Sequence, residues 1–295
     1  MAKTSCFSTT IDLTLETKLR ADLEEQGFEF TKPPFTLFSA KKKNLSCTLY
    51  QSGKLTVQGK EMDPFIEFYL EPEILQKFDF SHPLANANLE PRIGMDEAGK
   101  GDFFGPLCIG ALYADEAGIK TLIEWGIQDS KTLSDATVLK LAKKIRDAFS
   151  YTVIRFFPLK YNELYAKFKN LNRLMAWIHA TALAELSQKT GCKKAILDQF
   201  ADASLVDRQV TQKKLDVQLE QRTKAESDVV VAGASILARA AFLEGLQKMA
   251  EEYGMEFPKG ASNAVKVSAR KYIEKFGQTA LGHVAKTHFK TAKEL

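Results

Sequence analysis

Cysteine is scarce in this 295-residue chain, and its four copies, Cys6, Cys47, Cys108 and Cys192, stand far apart with no C-x-x-C pair. Neither a zinc site nor a disulfide framework is expected, only reduced structural thiols. No stretch approaches the ~18 apolar residues of a membrane span, and the opening MAKTSCFSTTIDLTLE lacks the apolar block of a secretory signal. A cytoplasmic protein with no membrane partner is the expectation. Repeats and low-complexity segments are also absent, while 45% hydrophobic residues give ample material for two cores or one large one. The net charge of +4 is mild but uneven, because Pro258 to Leu295 carries eight Lys or Arg against two Glu. That basic end suits a polyanionic partner, and a solvated C-terminal helix would account for it equally well.

A composition break at FSHPLANANLEPR, with Pro83, Pro91 and two Asn, divides the chain into a domain at 1–80, a linker at 81–91 and a domain at 92–295. Before the break, Leu15, Leu19 and Leu23 have helical spacing that stops at Gly27. Leu45, Cys47 and Leu49 alternate, turn at Ser52-Gly53 and resume with Leu55 and Val57, which predicts a β-hairpin. A second helix is expected over 65–78. Lys41, Lys42, Lys43, Lys54 and Lys60 lie on or beside the hairpin, so one sheet face of this α+β module could be locally basic; lysines that blunt a strand edge are the equal alternative. After the break, RIGMD, PLCIGALYA, YTVIRFFPL, KKAILDQF and KLDVQLEQR read as strands. They alternate with a long helix expected over 162–189 and a second helix rich in small residues, Ala232, Gly233, Ala234, Ala238 and Ala241, suited to close packing on a sheet. The fold class is therefore α/β, a mixed sheet flanked by helices.

IGMDEAGKGDFFGPL sets two adjacent carboxylates, Asp96 and Glu97, before a Gly-Lys-Gly turn. Gly94, Gly99 and Lys100 match the glycine and lysine positions of the nucleotide loop G-x-x-x-x-G-K-[ST]. However, Gly101 stands where that loop needs Ser or Thr, and two acids inside a phosphate cradle have the wrong sign. A metal site fits better. Asp198 also follows a short apolar strand, and Glu226 precedes the small-residue helix. Alone, Asp198 would be read as a turn-former or cap and Glu226 as a helix-start acid. Together, the four acids can reach one end of one sheet, where ligands of open α/β sheets bind. Hard oxygen donors without His or Cys select Mg2+ or Mn2+, typical of phosphoryl chemistry on nucleic acids with two ions ~4 Å apart.

GMDEAGKGDFFGPL, DSK at 129–131, LDQF, TKAESDVVVAGASILAR and FPKGAS together resemble a type 2 ribonuclease H, and within it the bacterial ribonuclease HIII family. Gly-Lys-Gly where ribonuclease HII usually has Gly-Arg-Gly, and Glu226 where it has Asp, favour HIII. The resemblance implies a ribonuclease H-like domain preceded by a small α+β substrate-binding domain similar to one repeat of the TATA-box-binding protein. It also implies an endonuclease that cuts the RNA strand of RNA–DNA hybrids, leaving 5′-phosphate and 3′-hydroxyl ends. Asp96, Glu97, Asp198 and Glu226 would be catalytic and hold two Mg2+ or Mn2+ ions, with Asp96 bridging them. Gly99, Lys100 and Gly101 would contact the substrate, the turn backbone meeting the ribose 2′-hydroxyl and Lys100 a phosphate. Ser130 and Lys131 are weaker substrate-binding candidates, since a turn capping the helix that begins near Ser134 explains Asp129, Ser130 and Lys131 about as well. His283 and His288 read as surface or stacking residues, with assistance to proton transfer as the alternative. A monomer acting on hybrids, or on DNA containing ribonucleotides, is expected. A metal-dependent DNA nuclease or resolvase of the same fold and a non-catalytic hybrid-binding protein are the alternatives.

Overall fold

The structure, a computed structural model, describes residues 6–78, 80–82, 84, 87–128 and 130–295. It divides into two compact units, Met1–Asn88 and Leu89–Leu295. Part of the expected linker, and Asp129, lie outside the described residues.

In the first unit, strands β1 (Cys6–Thr10), β2 (Glu29–Thr31), β3 (Thr36–Lys42), β4 (Leu45–Tyr50) and β5 (Lys54–Gly59) form an antiparallel sheet in the order β1-β5-β4-β3-β2. The hairpin pairs Cys47 with Val57 and Leu49 with Leu55, and its turn needs Gly53 in the left-handed region (φ 81). The apolar side of this sheet packs on helix α1 (Glu16–Glu25) and on α2 (Met62–Phe65), which runs on as wider π-type turns over Ile66–Leu75. The second helix therefore ends earlier than expected, where Gln76 turns left-handed (φ 50). Strand alternation places only Lys41 and Lys54 on the open face, among Ser39, Ser46, Thr48 and Thr56, and Lys41 pairs across the strands with Glu29. Lys42 packs instead over the Phe28 ring. Of the two readings left open for these lysines, a basic face is not what the sheet presents: that face is lined mainly by hydroxyls.

The second unit carries β6 (Arg92–Ala98), β7 (Leu107–Ala114), β8 (Tyr151–Phe156), β9 (Lys194–Asp198) and β10 (Gln218–Arg222), in the order β10-β9-β6-β7-β8. Strands β6, β7 and β8 are antiparallel, and β9 and β10 run parallel to β6. The helices are α3 (Glu116–Glu124), α4 (Asp135–Ala148), α5 (Pro158–Phe168), α6 (Leu171–Thr190), α7 (Ser204–Gln212), α8 (Val229–Tyr253), α9 (Asn263–Phe276) and the short α10 (Lys290–Lys293). The single helix expected over 162–189 is two, because Lys169 adopts φ 54 and the Asn170 side chain caps α6 by accepting from the Arg173 N–H.

Helices α6 and α8 cover opposite faces of the sheet. Close approach of α8 depends on Gly94 and Gly110, where a Cβ would stand 2.4 Å from the backbone of Val230 and Ala234 respectively. Helix α8 is long and apolar enough to cross a membrane by length and composition, contrary to the sequence expectation, but 78% of its most apolar window is buried inside the molecule. Its apolarity serves the sheet. At its start Asp228 caps Val230 and Val231 and accepts from Arg92 Nε at 2.9 Å, in an ion pair 5% exposed on each side.

Candidate active site

Asp96 and Glu97 lie just before Ala98, the last residue of strand β6, and strand alternation sends them to opposite faces. Asp96 shares its face with Gly94, toward α8, and lies opposite Gly110 in the β7 register. Glu97 shares its face with Ile93 and Met95, toward α6. In the parallel pairing of β6 with β9, Met95 is matched with Leu197, so Asp96 and Asp198 leave neighbouring strands one step further on the same side. Glu226 sits in a one-turn 3-10 helix (Ala225–Ser227) just before α8. Asp198 ties that turn to the sheet, its Oδ1 accepting the Ala225 N–H at 2.9 Å.

The electrostatics are those of crowded carboxylates in a poorly solvated place. Asp96 is 3% exposed. Burial, then the Glu97 carboxylate, pushes its pKa up to about 7; the Ser235 hydroxyl and the Glu97 N–H, which donates to Oδ1 at 2.7 Å, act against the rise, and Asp198 adds to it. Asp198 is raised by burial first, with Glu226 and Glu97 adding to it, while the Ala225 N–H and the Lys131 ammonium oppose. Two buried carboxylate oxygens, Asp96 Oδ2 and Glu226 Oε2, have no hydrogen-bond partner among the described residues. Buried acceptors of this kind are costly unless a cation completes them, so the donor set fits a hard divalent ion. Among the described residues no three of His, Cys, Asp and Glu stand in ligating geometry.

Glu97 is supported from two sides. His179 of α6, fully buried and stacked on Phe200, places Nε2 3.3 Å from Glu97 Oε2, and Lys100 Nζ lies 3.6 Å from Oε1. Lys100 also donates to the Phe200 carbonyl at 3.4 Å. Gly99 has φ 85, and a Cβ there would stand 2.2 Å from the Pro106 carbonyl oxygen, whereas a Cβ on Gly101 would meet open space. The turn is thus pinned on its inner side and bare on its outer one.

Lys131 is exposed, within electrostatic reach of Asp198. Ser130 requires a correction. It is 3% exposed, its hydroxyl is bound to Ser235 Oγ at 2.8 Å and its carbonyl accepts from Arg239, so it braces the site from within and cannot present its side chain to a substrate. His283 is exposed, and His288 stacks on Tyr165 at 4.2 Å. Sequence reasoning missed His179, Ser235 and Arg239. The signal for His179 was present, a lone polar residue inside the apolar stripe of α6; Ser235 and Arg239 carry no signal outside the folded contact.

The family model for Ribonuclease HII matches residues 93–292, and one described as a domain of unknown function (DUF3378) matches residues 9–81. Ribonuclease HIII of Protochlamydia amoebophila (strain UWE25) is 52% identical over 285 residues, which cover 97% of this chain and 95% of the relative. The chain belongs to the ribonuclease HIII family. Ribonuclease HIII of Chlamydia felis (strain Fe/C-56) is 48% identical over 98% of this chain and 97% of its own length. Among solved structures, Bst-RNase HIII in complex with Mn2+ matches with a TM-score of 0.68 at 28% identity, covering 98% of this chain and 97% of that one. The ribonuclease H2 from Pyrococcus horikoshii OT3 matches 69% of this chain and 96% of its own, with a TM-score of 0.60 at 28% identity. The chain is accordingly a nuclease, a hydrolase with type 2 ribonuclease H activity, from a divalent-metal-dependent family that acts on RNA–DNA hybrids. The ribonuclease H-like mixed sheet preceded by a small α+β domain is the fold that the sequence predicted.

Proposed function

We propose that this member of the ribonuclease HIII family cleaves the RNA strand of RNA–DNA hybrids, and of DNA containing ribonucleotides, by two-metal-ion hydrolysis that leaves 5′-phosphate and 3′-hydroxyl ends. The observation that carries the reading is the pair of unpartnered buried oxygens on Asp96 and Glu226, at the end of the sheet that also bears Glu97 and Asp198. These four residues would hold the ions. The chemistry supplied there by two bound Mg2+ or Mn2+ ions would be a lowered pKa for the attacking water and neutralised charge at the leaving 3′-oxygen. The chain's own groups do the rest. The Ala225 N–H fixes Asp198, His179 holds one Glu97 oxygen, and Ser235 faces Asp96 from α8. The bare outer side of Gly99-Lys100-Gly101 lets backbone groups approach a ribose 2′-hydroxyl, and Lys100 and Lys131 supply positive charge for phosphate. Four free cysteines suit a reducing compartment, in keeping with a cytoplasmic enzyme.

The test compares wild type with Asp96→Asn on RNA–DNA, DNA–DNA and RNA–RNA duplexes, with and without Mg2+ or Mn2+. Metal-dependent cutting of the hybrid's RNA strand alone, lost in the variant while hybrid binding persists, is expected. Cleavage of the all-DNA duplex would make the protein a DNA nuclease, and hybrid binding without cleavage under either metal would leave a binding module.

A further inference from the structure

Lys286 belongs by sequence to the basic tail, whose charge suits the phosphates of a nucleic acid, yet it is 0% exposed. Its Nζ donates to the carbonyl oxygens of Asp102 at 2.8 Å, Gly105 at 2.7 Å and Phe104 at 3.4 Å. Its own N–H donates to the Phe103 carbonyl at 2.8 Å, and the Gly105 N–H donates to Val284 O at 3.2 Å. Gly260, from the FPKGAS motif, completes the clasp by accepting the Phe103 N–H at 2.9 Å and donating to Asp102 Oδ1 at 2.6 Å. Behind the tail, Asn162 of α5 donates to Gly282 O and Ala285 O at 3.0 and 2.9 Å and accepts the Thr287 N–H at 3.1 Å.

The clasped segment, Asp102 to Gly105, is the chain between the Gly-Lys-Gly turn and β7. Every one of its four residues is bonded to Val284 or Lys286, so the turn's C-terminal end is held from the C-terminal segment and from Gly260 in addition to its own Asp102 N–H to Gly99 O bond at 3.4 Å. A buried ammonium is an expensive way to fill space, since an apolar side chain of the same length would avoid the desolvation cost. What the amine adds is donors in fixed directions, which specify where the carbonyls of Asp102, Phe104 and Gly105 point. We propose that Lys286 is a positioning residue for ribose recognition, holding the backbone behind Gly99-Lys100-Gly101 so that the turn meets the 2′-hydroxyl in the reactive register. The proposal rests on the reading of that turn given above.

The experiment measures binding of wild type and Lys286→Met to RNA–DNA and DNA–DNA duplexes across a salt series, together with kcat and KM on the hybrid and the melting temperature. The expected result is a preference for hybrid over DNA reduced about tenfold, with kcat reduced as well, as for loss of a support behind a working group. The slope of log K against log salt should stay as in wild type, because Lys286 touches no phosphate. A slope shallower by about 0.9 with the preference intact would make Lys286 a phosphate ligand and overturn the proposal. A lower melting temperature with preference, kcat and KM unchanged would also overturn it. Should Lys286→Met not fold, Asn162→Ala loosens the same tail from its other side and carries the same expectation. A wild type without hybrid preference would instead overturn the reading of the turn itself.

Discussion

At Asp96, burial and the neighbouring Glu97 carboxylate act in the same direction, and the carboxyl is pushed up to about 7. A folded-state pKa above the unfolded value means that the native protein binds the extra proton between about pH 4 and 7. Metal-free wild type therefore loses stability from this group as pH rises through that window. Asp96→Asn carries no such charge, so its melting temperature in a chelator should exceed that of wild type by a margin that grows from pH 4 to 7 and then levels off. A margin independent of pH would contradict the assignment. His179 acts on the second acid. His179→Phe keeps the ring stacked on Phe200 but removes the donor to Glu97 Oε2, and should weaken Mn2+ binding about tenfold by titration calorimetry, with little change in fold by circular dichroism.

Among the elements, α8 does most to assemble the site, because its face reaches Asp96 through Ser235 and its N-terminus follows directly on the turn that bears Glu226. What anchors that N-terminus is the buried pair of Arg92 and Asp228, joining the first residue of β6 to the cap of α8. Arg92→Met would leave the Asp228 carboxylate, besides the Val230 and Val231 N–H groups it caps, with the longer ion pair to Arg222 at 3.5 Å among the described residues, and should cost about 3 kcal/mol in chemical denaturation. Gly94 and Gly110 fix the distance between helix and sheet, since a methyl at either would press on α8 backbone and not on a side chain that could swing away. On the other face, the break at Lys169-Asn170 begins α6 anew, and α6 brings His179 to Glu97.

For the molecule as a whole, the basic tail is less available to a nucleic acid than its composition suggests. Lys259 pairs with Asp135 at 2.6 Å, Lys266 with Glu294 at 2.7 Å, and Lys286 is enclosed. Hybrid binding should weaken linearly in log K against log salt, measured by fluorescence anisotropy, and neutralising Lys286 should leave that slope unmoved. All five strands of the second unit, the hairpin and the small-residue helix were legible in the sequence, because strand alternation, helical spacing and turn residues are local signals. Three of the first unit's strands, β1, β2 and β3, escaped, being short or carrying a bulge that breaks the alternation between Thr36 and Phe38. The four acids were legible as residue types beside apolar strands, together with the choice of hard oxygen donors. Their facing was not: that Asp96 looks to α8 and Glu97 to α6, that Ser130 is spent inside, and that Lys286 serves the backbone behind the turn were decided by the tertiary structure. The sequence by itself determined the family, the elements and the chemistry on offer, since these depend on residue type and near neighbours. Only the fold decided which groups are buried, which are braced and which are free to meet a substrate, because burial and long-range hydrogen bonds join residues as far apart as Asp102 and Lys286.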